Sequence, residues 1–133
     1  MDLENSLQIA HLNKRYPSFS LEDVSFSLKK GTIMGFIGRN GAGKSTTLKA
    51  LFNIVHPDSG DIAFFGMPYV GNERAIKNRT AFSAGAFEYY QNKTLRSITE
   101  VTRRFYSKWD DAVYATYMDK FMLDERKTPA ELS

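Results

Sequence analysis

Gly38-Arg39-Asn40-Gly41-Ala42-Gly43-Lys44-Ser45 decides how this chain is read. The stretch satisfies G-x-x-x-x-G-K-[ST] at every fixed position. Each residue type has a physical reason to be there. Glycines allow positive φ and let backbone approach a ligand without a Cβ in the way. Successive N–H groups then form a concave anion nest, and a helix starting near Lys44 adds the positive end of its dipole. Lys44 supplies a mobile point charge for phosphate oxygens. Ser45 supplies a hydroxyl suited to Mg²⁺ on the same phosphates. Asn40, Gly41, Ala42 and Gly43 line the loop, and Thr46 and Thr47 are expected to extend the row of donors. Such a loop requires a strand before it and a helix after it.

Both are legible. Upstream, Thr32–Ile37 is a short apolar run with β-branched residues, expected to be a central buried strand. Lys29-Lys30-Gly31 reads as a turn, and Val24, Phe26 and Leu28 alternate with Ser25 and Ser27 as in a half-buried strand. Leu7–Leu12 reads as a further strand, and Pro17 interrupts the chain after Tyr16. Downstream the period changes. Leu48, Leu51, Phe52 and Val55 fall on one face of a helix that Pro57-Asp58-Ser59-Gly60 ends. Asp61–Phe65 is a strand closed by Gly66 and Pro68.

From about residue 90 the pattern is helical. Ile98, Val101, Phe105 and Trp109 make one apolar stripe. Asp110 is placed to cap a second helix whose apolar face holds Val113, Tyr117 and Phe121, with Tyr114 and Met118 beside them. These aromatics are expected to pack in a core rather than line a ligand pocket. The division is therefore a strand-rich nucleotide-type core over residues 1–88 and a helical subdomain over 89–133.

Composition narrows the alternatives. Across 133 residues, 18 Lys and Arg against 15 Asp and Glu leave a net charge of +3, too small to imply a nucleic-acid partner. The pairs Lys29-Lys30 and Arg103-Arg104 read as solvated surface. With no cysteine there is no disulfide framework, thiolate zinc site or thiol nucleophile. Asp2 and Glu4 do not suit a signal peptide, and no apolar run approaches the roughly 18 residues of a membrane span.

Gly41-Ala42-Gly43-Lys44-Ser45-Thr46-Thr47-Leu48 resembles the Walker A segment of ABC-transporter ATP-binding subunits. Leu21–Phe26 resembles the family's strand before the loop, and Pro57-Asp58-Ser59-Gly60-Asp61-Ile62 with Gly66 resembles its turn and strand after the loop's helix. Leu123-Asp124, followed by Glu131-Leu132-Ser133, resembles the lead into the LSxGQ-like signature. The similarity spans nearly the whole chain and is nearest to the small ABC-2-type exporters.

The resemblance implies an α/β fold of the P-loop NTPase class, ABC ATPase type, incomplete at the C-terminus. It implies ATP and Mg²⁺ as cofactors, a second ATPase subunit as homo- or heterodimer, and an integral-membrane permease, with no nucleic acid. It places the chain in the cytoplasm, peripheral on the inner face of the membrane. Tyr16 stands where the family stacks an aromatic on adenine. Gly85 stands where the family has a glutamine that contacts Mg²⁺ and the attacking water; Gln91 reads as surface, and Glu88 is a weak substitute. The resemblance also implies that the chain stops inside the signature, before the Walker B aspartate, the catalytic glutamate and the switch histidine. His11 and His56 do not stand at the last of these positions.

Phe121-Met122-Leu123-Asp124-Glu125 imitates a Walker B strand, yet Phe121 already belongs to a helical stripe and the run has no β-branched residue. A binding module without turnover is the competing function, and no catalytic residue is assigned. A GTPase is disfavoured because Asn13-Lys14-Arg15-Tyr16 and Asn92-Lys93-Thr94-Leu95 both lack the aspartate of N-K-x-D; a small-molecule kinase is a further P-loop alternative.

Overall fold

The computed structural model describes residues 4–83 and 90–132. The chain forms two compact units, 1–77 and 78–133.

The first unit is built on four antiparallel strands. β1 (Asn5–Tyr16) and β2 (Phe19–Lys29) form a hairpin, β3 (Ser59–Phe64) lies on the other side of β1, and β4 (Met67–Pro68) finishes the order β2-β1-β3-β4. Alternation explains the first half of β1, where Asn5, Leu7 and Ile9 are buried. The alternation then breaks. His11 takes φ 53°, the pairing with both neighbours shifts, and Leu12 rather than His11 is buried. This extra residue is a β-bulge that returns the next apolar side chain to the core. The Asn13 side chain satisfies groups freed there, donating to His11 O at 2.7 Å and accepting from Asp23 N at 2.9 Å.

Helix α1 (Lys44–Leu51) and the short α2 (Glu73–Lys77) contribute Ala50, Leu51 and Ile76 to the cluster of Leu7, Ile9, Leu12, Phe64 and Tyr69. The face of α1 differs from the expected stripe. Thr47, Ala50 and Leu51 are buried, whereas Leu48 is 38% exposed. The helix also stops before Val55. Asn53 adopts φ 57°, with Asn53 N donating to Ala50 O at 3.1 Å and Ile54 N to Lys49 O at 3.0 Å. That is a Schellman stop with asparagine in the left-handed position.

Thr32–Ile37 is a correction. The expected central strand is not formed, and Ile33 is 101% and Ile37 92% exposed. An apolar β-branched run has high strand propensity, but a strand needs ladder partners, and no described segment pairs with this one. Phe36 of this run meets Phe26, with ring centroids 5.4 Å apart.

The second unit contains α3 (Leu95–Thr102), a 3₁₀ turn (Arg103–Phe105), α4 (Asp111–Lys120) and a 3₁₀ turn at Pro129–Glu131. Asp110 caps α4 as expected, its Oδ1 accepting from Ala112 N at 2.8 Å and Val113 N at 3.0 Å. Thr94 caps α3 by accepting from Ser97 N. Two expectations fail here. The stripe Ile98, Val101, Phe105, Trp109 is not one helix face, because α3 ends at Thr102. The expected aromatic core is largely open: Phe105 is 70%, Tyr117 53% and Phe121 60% exposed. The rings instead meet one another, Tyr117 stacking on Phe121 at 6.1 Å and Trp109 tilting on Tyr114 at 5.4 Å.

Candidate functional site

The sequence Gly38–Gly43 gives a loop whose shape follows from its glycines. Gly41 has φ 80° and Gly43 φ 88°, both left-handed. Between them Ala42 N donates to Arg39 O at 3.1 Å, closing a tight turn. Gly43 then serves as N-cap of α1, and its carbonyl accepts from Thr47 N at 2.8 Å. The N–H groups of α1 that precede this bond have no intrahelical acceptor. No acidic residue lies in that first turn, so the positive end of the helix dipole is not offset there.

The Lys44 side chain folds back over the loop. Its ammonium donates to Gly38 O at 2.6 Å and to Arg39 O at 2.8 Å. An ammonium has three donors and no fixed fork, so it can exchange these carbonyls for phosphate oxygens. Asn40, Gly41, Ala42 and Ser45 are exposed along the loop and the start of α1, and Thr46 is half-buried. Thr47 has a different task from the expected donor role. It is buried, and its hydroxyl donates to Gly43 O at 3.0 Å. Its N–H and hydroxyl are thus both committed to holding α1 to its cap.

The loop is seated on the β1–β2 hairpin. A Cβ on Gly43 would fall 2.3 Å from Leu21 Cδ2 and 2.7 Å from Phe19 Cζ, so the loop lies directly against these two hairpin side chains, and the φ of 88° itself favours glycine. Phe19 in turn stacks on Tyr16, with centroids 6.3 Å apart and planes 29° off parallel. Tyr16 is 37% exposed. Lys14 Nζ lies over its ring, 5.7 Å from the centroid. The Gly38–Gly43 loop and the Tyr16 ring are therefore joined through Phe19. Sequence reading missed Phe19 and Lys14, because no local pattern distinguishes them from other hairpin residues.

Other candidates stand elsewhere. Gly85, Glu88 and Ser133 lie outside the described residues. Gln91 is half-buried in a turn. His11 Nδ1 lies 2.6 Å from Asp23 Oδ1 at the β-bulge, and His56 is exposed. The run Phe121–Glu125 is not a strand. Met122 has φ 53°, and Leu123 N donates to Met118 O at 2.8 Å, so the run is the turn that stops α4 after Lys120. Its carboxylates are taken: Asp124 accepts from Arg126, with Nη2 to Oδ2 at 2.8 Å, and Glu125 pairs with Arg96 at 3.2 Å. The Arg126 guanidinium and its N–H hold the Asp124 carboxyl down to about 2. Among the described residues no group of three His, Cys, Asp or Glu is placed to hold a metal.

Comparison with known proteins agrees with this geometry. The chain is 33% identical over 113 residues to the ABC transporter ATP-binding protein YtrB of Bacillus subtilis, covering 85% of this chain and 38% of that protein. It is 36% identical over 91 residues to the bacitracin transport ATP-binding protein BcrA of Bacillus licheniformis, covering 68% of this chain and 30% of that protein. The chain thus spans between a third and two fifths of the first of these relatives and less of the second. A solved ATP binding subunit of an ABC transporter superposes with a TM-score of 0.82 at 26% identity, over 96% of this chain and 55% of that one. The profile of the ABC transporter family matches residues 21–133, which include the loop, α1 and the whole helical unit. On the strength of that match and of the loop geometry, the chain belongs to the ABC transporter family.

Proposed function

We propose that this chain is the ATP-binding part of an ABC transporter subunit, coupling ATP binding and hydrolysis to transport through a separate permease. The observation that supports this best is the junction at Gly43. It brings an anion nest, a cationic Lys44 and an aromatic platform together in one unit. Phosphates fit the loop, where Lys44 and the first N–H groups of α1 would hold them. The Ser45 hydroxyl at the exposed start of α1 would take Mg²⁺, which supplies charge neutralisation to the phosphates when bound. Tyr16 would stack on adenine. The names of the relatives, ATP-binding proteins of transporters, agree with this assignment. The partners proposed are a second ATPase subunit and an integral-membrane permease, at the inner face of the membrane. No helix among the described residues is long and apolar enough to cross a membrane.

Two measurements test the assignment. Tyr16→Ala should weaken ATP binding by about 1–3 kcal/mol, the usual worth of a base stacked on an aromatic ring. Tyr16→Phe or Trp should keep most of the affinity. Indifference to alanine would show that the ring serves the hairpin alone. The second measurement is phosphate release. The carboxylates of Asp124 and Glu125 are held by Arg126 and Arg96. The 133-residue chain is therefore expected to bind Mg·ATP yet release phosphate no faster than a Lys44→Ala control. Turnover above that control, abolished by Glu125→Gln, would assign catalysis to Glu125 and overturn the expectation.

A further inference from the structure

We infer that Asp58 is a positioning residue for the base platform: it clamps Lys14 and the backbone of Arg15, and so fixes the ring of Tyr16 that they lead into. The inference rests on the reading of Tyr16 as the adenine platform. Asp58 comes from the turn before β3, far from Tyr16 in sequence, and it uses both carboxylate oxygens on the end of β1. Lys14 Nζ donates to Oδ1 at 2.7 Å, and Arg15 N donates to Oδ2 at 2.7 Å. Asp58 N also donates to Asn13 O at 2.8 Å. Three consecutive residues before Tyr16 are thereby held by one aspartate.

The arrangement has consequences for the ring. The end of β1 pairs with β2 through Lys14, Arg15 and Tyr16, but past the bulge its β3 side has no ladder beyond Asn13 opposite Ser59. Asp58 supplies the bonds that are missing on that side. The charge on Lys14 is then held over the Tyr16 ring instead of sweeping through solvent. The Lys14 side chain is 19% exposed, against 84% for Arg126 in an ion pair in the second unit. A cation held over a ring also adds positive potential beside a stacked base. The hydrogen bonds from Lys14 and the Arg15 N–H depress the Asp58 carboxyl from its ordinary value, so it stays ionised at neutral pH.

A clamp on the base platform should act on the base and not on the phosphates. The test titrates the 133-residue chain with ATP and, separately, with inorganic tripolyphosphate, which shares only the phosphate chemistry. Asp58→Ala is expected to weaken ATP binding about fivefold, the combined worth of a partly exposed ion pair and a cation–π contact. Tripolyphosphate binding should be unchanged, which also shows that the variant is folded. Asp58→Asn keeps an acceptor for Arg15 N and should recover part of the loss. In a Tyr16→Ala background the Asp58→Ala effect should vanish.

Equal losses for ATP and tripolyphosphate would overturn the inference, because Asp58 would then serve the fold or the loop. So would unchanged ATP affinity in Asp58→Ala, or an undiminished effect in the Tyr16→Ala background. If Tyr16→Ala alone leaves ATP affinity intact, the base reading itself fails, and the inference with it.

Discussion

Lys44→Ala should lower ATP affinity by roughly tenfold to a hundredfold, the worth of losing hydrogen bonds from a charged donor to phosphate. Adenosine binding should change by no more than about twofold, because an interaction absent from the ligand cannot be lost. In the structure the ammonium rests on Gly38 O at 2.6 Å and Arg39 O at 2.8 Å. Those carbonyls are weak competitors for a point charge beside a polyphosphate. The variant therefore removes an attraction for phosphate and little else. It does release the loop carbonyls to water, and the adenosine arm detects any wider collapse of the site. Lys44→Arg keeps the charge but replaces a compact ammonium with a longer, planar fork of different donor geometry. It should recover only part of the affinity. Calorimetric titration with both ligands decides the matter. Parallel losses for ATP and adenosine would mean that Lys44 holds the fold and not the phosphates.

What the sequence showed of this site was what local chemistry dictates. The glycines of Gly38–Ser45 announced a loop with positive φ, found at Gly41 and Gly43, and the start of α1, because those depend on neighbours a few residues away. The alternation of Val24, Phe26 and Leu28 set β2, and all three pack against the core. Asp110 announced the N-terminus of α4 by the geometry of a carboxylate and two N–H groups.

The rest depended on partners distant in the chain. Thr32–Ile37 has strand propensity, but no described strand pairs with it, and propensity without a ladder does not make a strand. The end of α1 turned on Asn53, which a search for apolar period alone passes over. The stripe from Ile98 to Trp109 has helical spacing, but α3 stops at Thr102 before reaching its second half. Asp58 and Phe19 acquire their places only when the bulge in β1 and the close approach at Gly43 are known. Such approaches are set by tertiary geometry, and composition carries no record of them.

Gly60→Ala should be the most damaging single-methyl change in the first unit. Gly60 has φ 104°, and an alanine there costs about 1–2 kcal/mol for leaving the favoured backbone regions. The larger cost is contact. A Cβ would lie 2.5 Å from both His11 O and Leu12 Cα. These are backbone atoms of the bulge, pinned by Asn13 to His11 O at 2.7 Å and to Ser59 Oγ at 3.1 Å, so neither can swing aside as a side chain would. Overpacking against fixed atoms adds about 1–3 kcal/mol. The sum, roughly 2–5 kcal/mol, is a large part of the 5–15 kcal/mol that holds a typical domain folded.

Gly71→Ala provides the control. Gly71 has φ 85°, yet nothing lies within 4 Å of its added Cβ, so this variant bears the backbone cost alone. Urea unfolding of the two variants separates the terms. The midpoint should fall much further for Gly60→Ala than for Gly71→Ala, with an unchanged slope for each. Because Leu12 lies fully buried on the far side of the bulge, loosening at Gly60 should also be felt in the core. Equal falls would show that the β1–β3 approach yields readily and that the bulge does not fix the register of the sheet.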